Sequence, residues 1–243
     1  MTPVLRAAEL APWIAVDALS GGGDVLVLAP HPDDETLGCG GAIAALSDLG
    51  RRVQVVVLTD GGQSHPKSRS HPPAVLRQLR TDEVLRAVDV LTGGRGPAPV
   101  MMGCPDGADT WGDDAQDAAA ARSLRLMGHG VSALWTAWAG DPHIDHVRTA
   151  QVARRIARQR PDLAVWSYPI WGRFAKDWPA ADGPRMVRLD TGPWQDRKAE
   201  ALAAHASQMS DLITDDPGGF RMDDTMQHHF LTTPELFLRE GAP

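Results

Sequence analysis

The sequence has few cysteines and no long apolar run, and each of these shortages excludes a class of protein. Its two cysteines, Cys39 and Cys104, lie in different segments and form neither a disulfide framework nor a CxxC motif. No apolar run approaches the roughly 20 residues that cross a membrane. The N-terminus lacks the basic and apolar regions of a signal peptide. We therefore expect a soluble cytoplasmic protein in a reducing compartment, with no membrane partner.

Positive charge is also in short supply. The 243 residues include 24 Lys and Arg against 31 Asp and Glu, which gives a formal net charge of −7, and no basic stripe stands out. Nucleic acid is therefore not an expected partner. Apolar residues make up 43% of the chain, enough for a sizeable core, and we find no internal repeat or linker. These features predict one domain over residues 1–243.

Strand and helix patterns alternate regularly along the chain. Unbroken aliphatic runs predict strands that are buried on both faces, and apolar residues at helical spacing predict helices. The predicted strands are 25–29, 53–59, 99–102, 131–138, 163–168 and 185–189, and the predicted helices are 38–49, 73–91, 114–127, 144–158 and 193–206. Repeated βα units predict an α/β fold with a three-layer, Rossmann-like, doubly wound and mostly parallel sheet. We expect the strand order 3-2-1-4-5, with an extra C-terminal strand allowed for.

The two segments richest in His and Asp, LAPHPDDETLGCGG and GDPHIDH, follow strands 1 and 4 of this sheet. Strands 1 and 4 are neighbours in the predicted order, and ligands bind in the crevice between such strand ends. His31 and Asp34 are three residues apart in the first segment. His143 and His146 are three apart in the second, and this spacing points side chains in the same direction in a first helical turn.

Two His and one carboxylate, with positions left open for water, form a common catalytic zinc site. The remaining carboxylate and His would then be free for proton transfer. Asp145 could orient that His through its other ring nitrogen. A simple capped turn is the competing interpretation, with Asp33 or Asp34 as N-cap and Glu35 at a helix N-terminus. The occurrence of both segments at neighbouring strand ends favours the metal site.

The combination of PHPDDETLGCGG with a downstream HIDH resembles the LmbE-like (PIG-L) family of zinc-dependent N-deacetylases. Further matches are TDGG at 59–62, PDG at 105–107 and AHASQ at 204–208, so the resemblance covers a core of about 23–210. It implies a hydrolase that removes an N-acetyl group from a 2-acetamido sugar conjugate, an N-acetylglucosamine derivative. It also implies one Zn²⁺ per chain, with other divalent metals as substitutes.

The resemblance assigns a role to individual residues. The residues that match the family's zinc ligands are His31, Asp34 and His146. Asp33 matches the carboxylate that activates water, and His143 matches the His that stabilises the tetrahedral intermediate or protonates the departing amine. Asp145 matches the acid that pairs with that His. Arg80 and Asp106 lie near positions that contact sugar in relatives.

The rim of the expected crevice is rich in tryptophan. Trp138, Trp171 and Trp178 follow strands 4 and 5, and we predict that Trp138 and Trp171 bind substrate. The Pro-, Ser- and His-rich loop at 63–73 borders the same crevice and could act as a lid. The loop's His residues are expected at the surface. Together these features predict a substrate with a sizeable aglycone.

Three alternatives remain open from the sequence. The chain could be a metal-dependent amidase acting on a non-sugar N-acyl substrate, or a binding protein that has kept a metal and lost turnover. It could also be a non-haem iron oxygenase, since these enzymes use two His and one carboxylate as well. Such oxygenases are mostly β jelly rolls, so the fold separates them from the deacetylase hypothesis.

Overall fold

A seven-stranded sheet forms the centre of the computed structural model, which describes residues 1–107, 111–176 and 185–241. The sheet order is β3-β2-β1-β4-β5-β7-β6. The strands are β1 Asp24–Ala29, β2 Val53–Thr59, β3 Val100–Cys104, β4 Val131–Ala137, β5 Ala164–Tyr168, β6 Arg185–Leu189 and β7 Glu235–Arg239. Strands β1 to β5 pair in parallel, whereas β7 is antiparallel to both β5 and β6. The predicted α/β fold and the order 3-2-1-4-5 are confirmed.

Helices cover both faces of the sheet, as the aliphatic strands require. Val25 and Val27 of β1 pack into one hydrophobic cluster, while Leu26 and Leu28 pack into another on the opposite face. The helices are α1 Pro3–Leu10, α2 Val16–Ser20, α3 Asp34–Asp48, α4 Pro73–Thr92, α5 Asp113–Leu126, α6 Ile144–Gln159, α7 Gln195–Ala204, α8 Ala206–Met209 and α9 Asp224–Thr232. Helices α3, α4 and α7 pack together on one face, and α5 packs on α6. No helix in these ranges is long and apolar enough to span a membrane.

Helix α3 begins at Asp34, four residues before the predicted start at Gly38. The acidic first turn is stabilised by the helix dipole, and it carries no apolar periodicity that would have revealed it. The helix bends at Cys39, which has φ −146° and ψ 21°. Because the extra turn belongs to the helix, Asp34 and Glu35 of the HPDDE segment lie on α3, and residues 31–33 form the turn that leads into it.

The segment after residue 210, for which the sequence patterns predict no helix or strand, contributes α9 and β7. The expected extra C-terminal strand at 185–189 is present as β6, but β7, which was not predicted, is inserted between β5 and β6. This α/β architecture excludes the jelly roll expected of the iron oxygenase alternative. The single domain over 1–243 stays a prediction.

Strands β1 and β4 lie side by side and run in parallel, with Leu28 opposite Thr136. Their carboxyl ends therefore open at the same edge of the sheet. The segments that follow them begin α3 and α6, so both helices point their N-termini toward this edge. The sheet thus brings the two His- and Asp-rich segments together.

Candidate active site

The carboxylate of Asp34 lies between two histidines that come from opposite sides of the crevice. Its Oδ2 atom is 3.1 Å from His31 Nδ1 and 3.3 Å from His146 Nε2. Asp34 is 3% exposed and His146 is fully buried. Burial opposes ionisation of Asp34, but the two histidines outweigh it and hold the pKa of this carboxyl far below its usual range. The spacing argument is therefore met by three side chains in mutual contact.

His143 fixes the second half of the site by capping helix α6. Its Nδ1 atom accepts a hydrogen bond from the backbone N–H of Asp145 at 3.2 Å. This cap places Asp145 and His146 in the first turn of the helix. Burial and the neighbouring His31 lower the pKa of His143, which favours the neutral ring. Since Nδ1 accepts, the proton of the neutral ring is on Nε2.

Asp141 orients His146, and the sequence interpretation missed it. Its Oδ2 atom accepts a hydrogen bond from His146 Nδ1 at 2.8 Å and another from the Ile170 N–H at 3.0 Å. The Gly172 N–H also donates to this carboxylate. With Nδ1 bound to Asp141, His146 presents Nε2 toward Asp34, the arrangement in which a carboxylate orients a metal-ligating imidazole. The one available signal was a second acidic residue in GDPHIDH.

The donor atoms fit a divalent metal. A tetrahedral site with metal–ligand distances of about 2.0–2.2 Å sets its ligand atoms about 3.3 Å apart, close to the two distances from Asp34. His146 Nε2 is buried without a hydrogen-bond partner in the described part of the chain. Within the described residues, ligand atoms lie within 4.8 Å of one another in two groups, His31, His143 and His146, and His31, Asp106 and Asp145. We favour Asp34 over His143 as the third ligand, because Asp34 Oδ2 lies beside both histidines and the cap at His143 Nδ1 leaves the ring proton on Nε2.

Asp33 lies beside these groups, and within the described residues its side chain forms no hydrogen bond with His31 or His146. Its φ of 135° is the one positive φ of a non-glycine residue in the described ranges, a conformation that costs of order 1–3 kcal/mol. Arg80 holds it from one side, donating to Asp33 Oδ2 at 3.2 Å and to the Pro32 carbonyl at 2.7 Å. Burial raises the pKa of Asp33 to about 7, against the opposing charge of Arg80.

Asp145 and Asp106 both face His31. The Nε2 atom of His31 is 3.3 Å from Asp145 Oδ2 and 3.3 Å from Asp106 Oδ1. The distance from His143 Nδ1 to Asp145 Oδ2 is longer, 3.9 Å. Asp145 therefore contacts His31 more closely than the His143 partner proposed from the sequence, and Arg148 pairs with its other oxygen at 3.1 Å.

A cavity of about 270 Å³ opens over the cluster. The predicted site residues that line it are His31, Asp33, Asp34, Arg80, Asp106, His143 and Trp171. Leu37, Phe220 and Met222 add an apolar wall. Phe220 and Met222 come from the segment that sequence patterns could not place, so the sequence interpretation missed them.

The prediction that Trp138 binds substrate is corrected by the structure. Trp138 is 4% exposed and packs in a cluster with Val4, Met186 and Leu238, away from the described lining of the cavity. Elements far apart in the sequence cover it, which the local pattern could not show. Trp171 does line the cavity, and its ring meets Phe220 edge-on with centroids 5.7 Å apart. Trp178 lies outside the described residues.

The loop at 63–73 borders the cavity but is tied to the segment that contains Phe220. Asp215 accepts backbone hydrogen bonds from residues 69 and 70 at 2.8 and 2.9 Å, and Asp216 accepts one from residue 67 at 2.8 Å. His65, expected at the surface, is 3% exposed. The loop is therefore a fixed wall in this structure, with Phe220 packed beside it.

The fold is that of a doubly wound α/β protein, a class in which ligands bind at the switch point of the sheet. Here a His- and Asp-lined cavity opens at that point, beyond the carboxyl ends of β1 and β4. The profile of the family described as PIG-L: GlcNAc-PI de-N-acetylase matches residues 26–157, more than half of the chain. The chain belongs to this family. The predicted resemblance and the N-deacetylase class are therefore confirmed.

Individual relatives agree with this assignment. A probable N-acetyl-alpha-D-glucosaminyl L-malate deacetylase 2 of Bacillus anthracis is 28% identical over 199 residues, which cover 79% of this chain and 84% of the relative. The solved A40926 pseudoaglycone deacetylase Dbv21 superposes with a TM-score of 0.66 at 20% identity, over 89% of this chain and 96% of that one. The 4-carboxy-2-hydroxymuconate hydratase GalB of Pseudomonas putida superposes with a TM-score of 0.60 at 20% identity, over 76% and 80%. Likeness to a hydratase shows that the fold alone does not set the reaction.

Proposed function

We propose that the protein hydrolyses the N-acetyl group of a 2-acetamido sugar conjugate, with one zinc ion held by His31, Asp34 and His146. The observation that carries this proposal is the position of Asp34 between two histidines on the floor of a cavity. Asp33 and His143 line the same cavity without being needed as ligands. The family assignment and the relative that acts on an N-acetylglucosaminyl malate support the choice of substrate class.

When bound, zinc would polarise the acetyl carbonyl and make a water molecule more acidic. Asp33 is the residue that accepts the proton of the attacking water. Its carboxylate lies in the cavity beside the ligand set, and Arg80 fixes its Oδ2 atom. A carboxylate buried so that its pKa stands near the working pH is suited to general-base catalysis.

His143 is the residue that meets the developing negative charge and the leaving amine. Its ring is protonated at Nε2 because Nδ1 accepts from the helix, so Nε2 is a hydrogen-bond donor. Such a donor can stabilise the oxyanion, and the proton that Asp33 takes from the attacking water can pass to the departing nitrogen. His143 is more exposed than His146, which suits a residue that must reach substrate.

The shape of the cavity favours a conjugate over the free sugar. Polar groups, among them Arg80 and Asp106, lie on the side of the metal ligands. Trp171 and the apolar wall of Leu37, Phe220 and Met222 line the same cavity. An apolar or aromatic aglycone on this wall would align the amide at the metal, and remote contacts of this kind raise kcat as well as affinity.

The test compares kcat/KM for free N-acetylglucosamine with kcat/KM for its aryl and alkyl glycosides, with acetate release as readout. We expect the aryl glycosides to be better substrates by roughly tenfold or more, the scale of one well-packed apolar contact. Phe220→Ala should reduce this preference, whereas Leu85→Ala, on the exposed surface of α4, should keep it.

Equal values for the free sugar and its glycosides would contradict the aglycone site. Acetate release from non-sugar N-acyl compounds alone would instead favour the amidase alternative. Hydration of an unsaturated acid without amide hydrolysis would reject the deacetylase assignment itself.

A further inference from the structure

A second buried acid–histidine pair, Glu35 and His205, lies directly beneath Asp33. Both side chains are fully buried. His205 Nε2 is 3.0 Å from Glu35 Oε1, and the Thr36 hydroxyl donates to the same oxygen at 2.6 Å. The proposed mechanism gives neither residue a role.

The other oxygen of Glu35 holds the backbone of the general base. Glu35 Oε2 accepts a hydrogen bond from the backbone N–H of Asp33 at 3.0 Å. Asp33 is the residue with φ 135°, and an L-residue keeps such a conformation only where surrounding contacts impose it. On the far side, Arg80 fixes the side chain and the Pro32 carbonyl. The peptide of Asp33 is thus held between two charged groups.

We infer that Glu35 and His205 are positioning residues for catalysis: His205 holds the Glu35 carboxylate, which in turn holds Asp33 in the conformation that directs its carboxylate into the cavity. This inference rests on the proposed function, since it assigns Asp33 as the base. A simple interaction of Glu35 with the helix dipole would need no buried partner 170 residues away.

The chain offers a matched control on the same helix. Lys198 and Glu235 form another buried pair, 2.7 Å apart, that contacts α3 beyond its first turn. Lys198 donates to the Leu37 carbonyl at 3.0 Å, and Glu235 accepts from backbone N–H groups at positions 41 and 42. This pair stabilises the bend of α3 but does not contact Asp33, so its loss reports on general damage to the helix.

The experiment measures kcat, KM and zinc content of the zinc-loaded enzyme with the best glycoside from the panel. Glu35→Gln keeps an oxygen for the Asp33 N–H and should stay within about tenfold of wild type. Glu35→Leu removes the acceptor and should lower kcat by about 100-fold, the cost of a small misplacement of a catalytic group. We expect KM and zinc content to stay near wild type in both variants.

A double-mutant cycle separates positioning from stability. In the Asp33→Asn background, Glu35→Leu should cause little further loss, because the group it positions is already gone. A crystal structure of Glu35→Leu should show that φ of Asp33 has left the positive region. His205→Leu is the second variant should Glu35→Leu fail to fold, and we expect it to lower kcat in the same direction.

The control combines Lys198→Met with Glu235→Gln, and it should lower the melting temperature while keeping kcat within a few-fold of wild type. The positioning role is overturned if Glu35→Leu keeps wild-type kcat, if its effect is additive with Asp33→Asn, or if the control loses kcat equally. An active wild-type enzyme with any of these results still leaves the proposed function standing. A wild type that releases no acetate from any substrate instead rejects both.

Discussion

Replacement of Asp33 by Asn should make the metal-free protein more stable while removing catalysis. Burial raises the pKa of Asp33 to about 7 from its usual 3.8, so the folded protein keeps a proton that the unfolded chain has released. A carboxyl whose pKa is raised on folding contributes stability that is fully present below its pKa in the unfolded chain. This stability is lost as the pH rises through its pKa in the folded protein. Asn resembles the protonated acid, tolerates a positive φ as Asp does, and carries no charge to lose.

The expected magnitude follows from the two pKa values. Each unit of difference between the folded and unfolded pKa values corresponds to about 1.36 kcal/mol in the free energy of unfolding. The Asn variant should therefore be more stable by about 4 kcal/mol at pH 8.5, by about 2 kcal/mol at pH 5.5 and by under about 1 kcal/mol at pH 4. The same variant should lose roughly 100-fold or more in kcat when loaded with zinc, because its general base has been removed.

Urea denaturation of chelator-treated wild-type and Asp33→Asn protein, measured at these pH values, gives the free energies of unfolding directly. Glu200→Gln, on the exposed surface of α7, serves as a control for the loss of one acidic side chain. Equal stabilities at pH 8.5, or a difference that does not shrink toward acid pH, would refute the view that Asp33 is a buried and disfavoured charge.

Three further predictions concern substitutions in the core and in the cavity lining. A Cβ at Gly38 would lie 2.2 Å from Cδ2 of the buried Tyr168 ring, so Gly38→Ala should lower the melting temperature by several degrees, the scale of an overpacked core. Gly128→Ala, with nothing within 4 Å of the added carbon, should leave the melting temperature unchanged by calorimetry. Trp138→Phe should lower stability and keep kcat/KM, because that ring lies in the core. Trp171→Ala should instead raise KM for aryl glycosides by about tenfold and keep the melting temperature.

Much of the fold could be predicted because buried parallel strands leave a strong local pattern. The aliphatic runs of β1 and β2 gave bounds within one residue of those observed. Strand order follows from the handedness of βα units, and it predicts that the segments containing His31, Asp34 and His146 meet at one edge of the sheet. Local spacing and simple topology suffice where both halves of a site follow directly from neighbouring strands.

Features that depend on distant contacts could not be predicted. His205 reaches Glu35 across 170 residues, and no local pattern marks either as buried. Trp138 follows a strand like a rim residue, yet β6, β7 and α1 cover it. The positive φ of Asp33 has no sequence signal either, since Asp is common in ordinary turns. These are tertiary effects that override local preference.

The central claim is that one metal ion at His31, Asp34 and His146 drives the hydrolysis of the N-acetyl group. The most direct test is a zinc titration of the chelator-treated protein, with acetate release from an aryl N-acetylglucosaminide as readout. We expect no activity without metal, a linear rise to a plateau at about one zinc per chain, and no recovery over the same range for His146→Ala. Full activity of the metal-free protein, or an unchanged titration for His146→Ala, would contradict the central claim.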